Sequence, residues 1–195
     1  MRGRWGTVTL HRQAGPGADF VGSYAHEDVV LQTARGLAEE VGLAPVTAAT
    51  GAVLCVLAGA NAAKAVVEIG TGTGVSGLWL LRGMRSDGVL TTIDAAADHQ
   101  RMARRLFAEA GFAASRTRII TGRALEVLPR LSDGVYDLIF VDGDAREYES
   151  YVEAAARLLH SGGLLMMYGL LTRTAADRKT TRPHSSHNHD LVCRL

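Results

Sequence analysis

The chain has 195 residues, 47% hydrophobic and 21% charged, with 21 basic against 20 acidic side chains and a formal net charge of +1. That length suits one domain that buries a core without disulfide or metal staples, and the balanced charge excludes the basic footprint of a nucleic-acid or membrane-surface binder. Cys55 and Cys193 form no CxxC pair, the N-terminus lacks a signal-like apolar stretch, and no run reaches the ~18 apolar residues of a membrane span, so a soluble cytoplasmic protein is expected.

Residues 1–22 are Gly-rich and aperiodic and are expected to form a flexible arm. From 24 to 41 the pattern is helical, with Val29, Val30, Thr33, Leu37 and Val41 at three- and four-residue steps and Gly42 placed to cap the C-terminus. A second helix is expected over 50–60. The apolar run Ala65-Val66-Val67-Glu68-Ile69 then reads as a buried parallel strand. A helix over 75–85, a strand over 89–93, a helix over 98–110 and a strand over 118–121 follow. After them come a short helix over 125–131, a strand over 138–141, a helix over 148–160 stopped by Gly162-Gly163, and a strand over 164–167. Strands alternating with helices predict an α/β fold, a Rossmann-like doubly wound parallel sheet. One domain is expected over 23–171. Beyond it, residues 172–195 are polar, hold His184, His187 and His189, and read as a disordered tail. With no strand in that tail, residues 164–168 become an apolar sheet edge, from which marginal stability and self-association are expected.

Ligands of doubly wound sheets bind beyond the carboxyl ends of the strands. Three such ends carry a chemical signal. The first is Glu68-Ile69-Gly70-Thr71-Gly72-Thr73-Gly74-Val75-Ser76-Gly77, a strand turning into a helix. Its glycines let backbone approach a ligand, and the helix start offers unpaired N–H groups to a carboxylate. Ser76 can assist there, and Glu68 can accept from an ammonium group or from backbone. The stretch also spells GxGxxG over 72–77, so a dinucleotide remains open at this point. The second signal is Asp94, whose carboxylate can accept from both ribose hydroxyls or serve only as a turn cap. Gly122-Arg123-Ala124, after the third strand, offers backbone N–H groups to a base and reads equally as a plain loop. The third is Asp142-Gly143-Asp144, two carboxylates that can meet a substrate, a cofactor or Mg²⁺, or simply form a solvated acidic turn.

As an ordered set, residues 66–76, Thr91-Thr92-Ile93-Asp94 and 136–142 resemble the small O-methyltransferases related to catechol and caffeoyl-CoA O-methyltransferases, above all their actinobacterial members. The likeness covers about residues 20–168. It implies a class I methyltransferase fold, S-adenosyl-L-methionine as cofactor, a small-molecule hydroxyl as methyl acceptor, and a homodimer as one form of assembly. It further implies that Val46 and Thr47 lie in a covering loop and that Glu68, Gly70, Thr71 and Ser76 hold the methionine part. Asp94 would take the ribose, with Ala95 and Ala124 beside the adenine. Asp142 matches an aspartate that binds metal and substrate and is the one catalytic candidate, with Asp144 beside it near the cofactor. Three departures stand out. Ala145 occupies the position of the family's lysine, Tyr168-Gly169 replaces Asp-Asn, and the polar tail stands where the family continues through two more strands. The first two predict no tight divalent-metal site. They also raise the alternative of a cofactor-binding protein without turnover. An NAD-dependent oxidoreductase is disfavoured, because no Tyr-x-x-x-Lys pair follows.

Overall fold

The computed structural model describes residues 6–10, 24–169 and 190–194. In chain order the elements are β1 (Gly6–Leu10), α1 (Val29–Glu40), α2 (Ala48–Ala60), β2 (Ala65–Ile69), α3 (Val75–Gly83), β3 (Val89–Asp94), α4 (Ala97–Glu109), β4 (Thr117–Thr121), a single turn α5 (Ala124–Val127), β5 (Tyr136–Val141), α6 (Tyr148–Leu158), β6 (Leu159–Met167) and β7 (Asp190–Arg194). Short 3₁₀ turns occupy Ala114–Arg116, Leu128–Arg130 and Ala145–Glu147.

Local chemistry sets the boundaries. Asp28 caps α1 by accepting from the Leu31 N–H at 3.0 Å. The helix closes in a Schellman motif, in which the Leu43 N–H reaches the Ala38 carbonyl and Gly42 takes a φ of +72°. Thr47 caps α2 through the Thr50 N–H at 3.1 Å. β2 is apolar on both faces because helices cover both. Val66 packs with α1, α2, α3 and α4 on one side, and Val67 and Ile69 pack with α5 and α6 on the other.

The seven strands lie in the order β1-β7-β6-β5-β2-β3-β4, with β2 to β6 parallel. From β2 the chain winds outward to β3 and β4, then returns to lay β5 and β6 on the opposite side. The direction of winding reverses between β2 and β5, which opens a crevice there. At the amino ends of these strands, Asp137 accepts from the Lys64 and Ala65 N–H groups, each at 2.7 Å, while Asn61 donates to its carbonyl at 2.8 Å. His160 Nε2 lies 2.9 Å from the same carboxylate.

The α/β expectation holds for the central sheet, and the edge differs from the sequence reading. β6 is not an edge: β7 pairs antiparallel along Leu164–Met167, and β1 pairs antiparallel with β7. The apolar run Leu191-Val192-Cys193 is shorter than a strand signal, and the open edge of β6 supplies its partner. The β-branched Thr7, Val8 and Thr9 likewise gain a partner that no local pattern announces. Thus one strand lies within the expected arm and one within the expected tail. The rest of those segments, with His184, His187 and His189, lies outside the described residues. Gly162 and Gly163 do not stop a helix. They sit in a bulge where β6 runs from Leu159 to Leu164 while β5 runs only from Tyr136 to Leu138.

Candidate functional site

The glycine loop after β2 turns at Gly70, whose φ is +97° and where a side-chain carbon would collide with the Asp142 carbonyl oxygen. Only glycine lets the β2 and β5 loops meet this closely. α3 then begins at Gly74 with no side chain capping it, so the N–H groups of its first turn have no capping partner. Asp94, at the tip of β3, accepts from the Gly72 N–H at 2.9 Å and from the Ala96 N–H at 2.8 Å. Each of its oxygens thus holds one backbone donor and retains a lone pair. The sequence offered a turn cap and a ligand contact as alternatives for Asp94, and the geometry accommodates both.

Two adjoining cavities of about 340 Å³ each open at these strand ends, and both are lined by Gly70, Asp94 and Asp142. The first extends under the loop before α2, where Leu43, Pro45 and Val46 face Thr71 and Ser76. The second extends over β3 and β4 past Ala95, Ala124, Asp144, Glu147 and Tyr151. Of the residues singled out in sequence, Val46, Thr71 and Ser76 line the first cavity, Ala95, Ala124 and Asp144 the second, and Gly70, Asp94 and Asp142 both. Thr47 is occupied as the α2 cap.

Glu68 lines neither cavity. It is fully buried beneath the floor, where Oε2 accepts from the Thr92 hydroxyl at 2.6 Å and Oε1 has no partner among the described residues. The Thr92 and Thr71 hydroxyls lie 2.7 Å apart, which joins Glu68 to the first cavity in two steps. Burial pushes the Glu68 carboxyl up to about 7, the Ser76 and Thr92 hydroxyls draw it down, and the Asp142 and Asp94 carboxylates raise it further.

Several lining residues carried no sequence signal. His99 faces the first cavity from the start of α4. Arg123 pairs with Glu147 at 2.8 Å, and the Tyr151 hydroxyl donates to Glu147 at 2.5 Å, so two distant segments meet in the second cavity. Burial, with Glu147 adding to it, raises the Tyr151 phenol far above its ordinary value and keeps it a donor. Gln100 donates to the Ile120 carbonyl at 2.6 Å and lies 3.3 Å from the Asp94 carbonyl, fixing the β3 tip to β4. Arg35 holds the covering loop, donating to the Val46 carbonyl at 3.0 Å while its other N–H groups grip Glu27. The side chain of Tyr168 packs into the core and its carbonyl accepts from Tyr148 at 2.6 Å. Among the described residues no three His, Cys, Asp or Glu side chains are grouped to hold a metal ion, and no helix is long and apolar enough to cross a membrane.

Known proteins resemble this chain in sequence and in fold. The Mycobacterium tuberculosis protein named "Probable O-methyltransferase Rv1220c" is 56% identical over 142 residues, covering 73% of this chain. The chain spans 63% of that relative's length. A Corynebacterium glutamicum crystal structure superposes with a TM-score of 0.80 at 28% identity, covering 91% of this chain and 94% of the other. The O-methyltransferase TomG of Streptomyces achromogenes, solved in complex with SAM, matches the fold with a TM-score of 0.80 at 24% identity, covering 91% and 94%. The O-methyltransferase family model matches residues 23–184, and the chain belongs to that family.

Proposed function

We propose that the chain binds S-adenosyl-L-methionine across the two cavities and transfers its methyl group to a hydroxyl of a small molecule. The observation that carries this reading is the shared wall of Gly70, Asp94 and Asp142 between the cavities, which lets one elongated ligand lie across both. Membership of the O-methyltransferase family and the SAM held by TomG support it.

The residues fit such a cofactor. The uncapped first turn of α3, with Ser76, suits the methionine carboxylate. The remaining lone pairs of Asp94 suit the ribose diol, and Ala95 and Ala124 line the cavity where the adenine would lie. When bound, the cofactor supplies an electrophilic methyl group. The chain supplies position: the Arg35-held loop carries Val46 over the first cavity and limits water there. Asp142, which lines both cavities, would receive the acceptor's proton.

A second reading, cofactor binding without turnover, is favoured by Ala145 and by Tyr168-Gly169, which stand where the family resemblance implies a lysine and an Asp-Asn pair. Calorimetry with S-adenosyl-L-methionine and with NAD, followed by turnover on a panel of catechols with and without Mg²⁺, separates the readings. Binding of the first cofactor with methylated product supports the proposal. Binding without product on any acceptor favours the second reading, and tight NAD binding alone overturns both.

A further inference from the structure

Glu68 is the one fully buried acidic side chain among the described residues, and it has no cation to balance it. The groups that face it can be named element by element. β3 presents the Thr92 hydroxyl and the Asp94 carboxylate, and the end of β5 presents apolar Phe140 in register and then the Asp142 carboxylate. α3 presents the Ser76 hydroxyl and Gly77, where a side-chain carbon would crowd both the Glu68 carboxylate and the Phe107 ring of α4. Thr71 joins through Thr92. The first cavity, directly above, is lined among the described residues by two carboxylates and His99 and by no lysine or arginine. A buried acid with one unpartnered oxygen, beneath a cavity rimmed by acids, is matched to a ligand that brings positive charge with it.

We propose that Glu68 is the residue by which this site prefers the cationic sulfonium cofactor over the neutral thioether left after methyl transfer. The inference rests on the cofactor reading above. The two molecules share carboxylate, ammonium, ribose and base and differ by one methyl group and one positive charge at sulfur. Contacts to the shared parts cannot separate them. A buried carboxylate can, because its attraction to a charge is weakly screened inside the protein. The Thr92 and Thr71 hydroxyls can turn to stabilise either protonation state, which links Glu68 to the cavity without opening it to water.

The sign follows from the ordinary behaviour of a raised carboxyl. Below a pH of about 7 Glu68 is neutral and does not distinguish the two ligands, whereas above it Glu68 is ionised and favours the sulfonium. Binding of the cofactor near neutral pH therefore expels a proton from the site. Loss of the charge at sulfur lets Glu68 take a proton back, which weakens the hold on the product.

Calorimetry on the full chain at pH 6 and pH 8, in two buffers of different ionisation enthalpy, tests this with S-adenosyl-L-methionine and S-adenosylhomocysteine as probes. The affinity ratio of the two is expected to rise about tenfold between those pH values, one pKa unit of linkage. Proton release should accompany the first ligand only, and Glu68→Gln should flatten the ratio. A ratio that stays constant in the wild-type chain, or that keeps its slope in Glu68→Gln, overturns the assignment. Should Glu68→Gln fail to fold, Thr92→Val removes a donor to the ionised form and is expected to move the midpoint upward; an unmoved midpoint equally overturns it. Binding of the sulfonium with a flat ratio sinks this inference alone, while binding of neither ligand sinks the cofactor reading with it.

Discussion

On the β2–β3 side of the crevice, Thr71, Thr92, Glu68 and Gln100 are all buried and hold one another or the backbone without a single ion pair. On the β5 side, Asp144 pairs with the highly exposed Arg146, and Glu147 pairs with Arg123, which is 67% exposed. The first network is sheltered and short, so each member is fixed by several others. The second consists of long side chains at the surface, whose pairing is weak and easily exchanged. One side is fixed by its own buried contacts; the other can exchange its pairs at little cost.

Substitutions sharpen this contrast, and the largest effect is expected where the two sides touch. Gly70→Ala forces a side chain into the Asp142 carbonyl at a φ of +97° and should cost about 2–4 kcal/mol of stability, read from urea unfolding midpoints. An unchanged midpoint would mean the two loops move apart freely. Next, Asp94→Ala should weaken S-adenosyl-L-methionine binding by about 1–3 kcal/mol in calorimetry, because a charged acceptor is lost from a partly buried site. Asp144→Ala, on the adaptable side, should change that affinity less, since the carboxylate is already engaged by Arg146. The reverse ranking would undo the distinction between the two sides.

The smallest effect is expected far from the crevice. One ring nitrogen of His160 faces the Asp137 carboxylate and the other the Ser161 carbonyl, and these two acceptors raise its pKa above 6.5. Its contribution is therefore complete below pH 6.5 and is lost as pH rises through the raised value. Burial works against ionised Asp137, but the Ala65 and Lys64 N–H groups and His160 outweigh it and depress its pKa, so its contribution is lost as pH falls through that depressed value. Urea titrations should show stability declining above pH 6.5, with His160→Gln lessening that decline slightly and ionisation of Glu68 accounting for the remainder; an identical decline in the variant would assign all of it to other groups.

The sheltered side was the more legible in sequence. The strand over 65–69 and the helix starting at Val75 have the bounds that the sequence predicts, and Gly70, Asp94 and Asp142 line one cavity. Glycine turns and strand tips are local signals, and the switch-point rule converts them into a place. Glu68 was legible as a polar residue at a strand end, but the direction of its side chain depends on the register between Thr92 and Phe140, which no local pattern carries. Arg123, Glu147 and Tyr151 were illegible as a group because loops from different parts of the chain must dock before they meet. β7 was missed for the same reason, since three apolar residues become a strand only beside an existing edge.

Asp137 reaches back to Lys64 and Ala65 across 73 and 72 residues, and those bonds can be made only after the later segment exists. At roughly 5–20 residues per second of synthesis, β2 waits about 4–15 s on the ribosome for this closure. During that interval its β5-facing side is an unpaired apolar strand edge, open to whatever the growing chain meets. The strand that founds the sheet thus keeps one edge open until β5 arrives, and the length of that exposure is set by the order of winding.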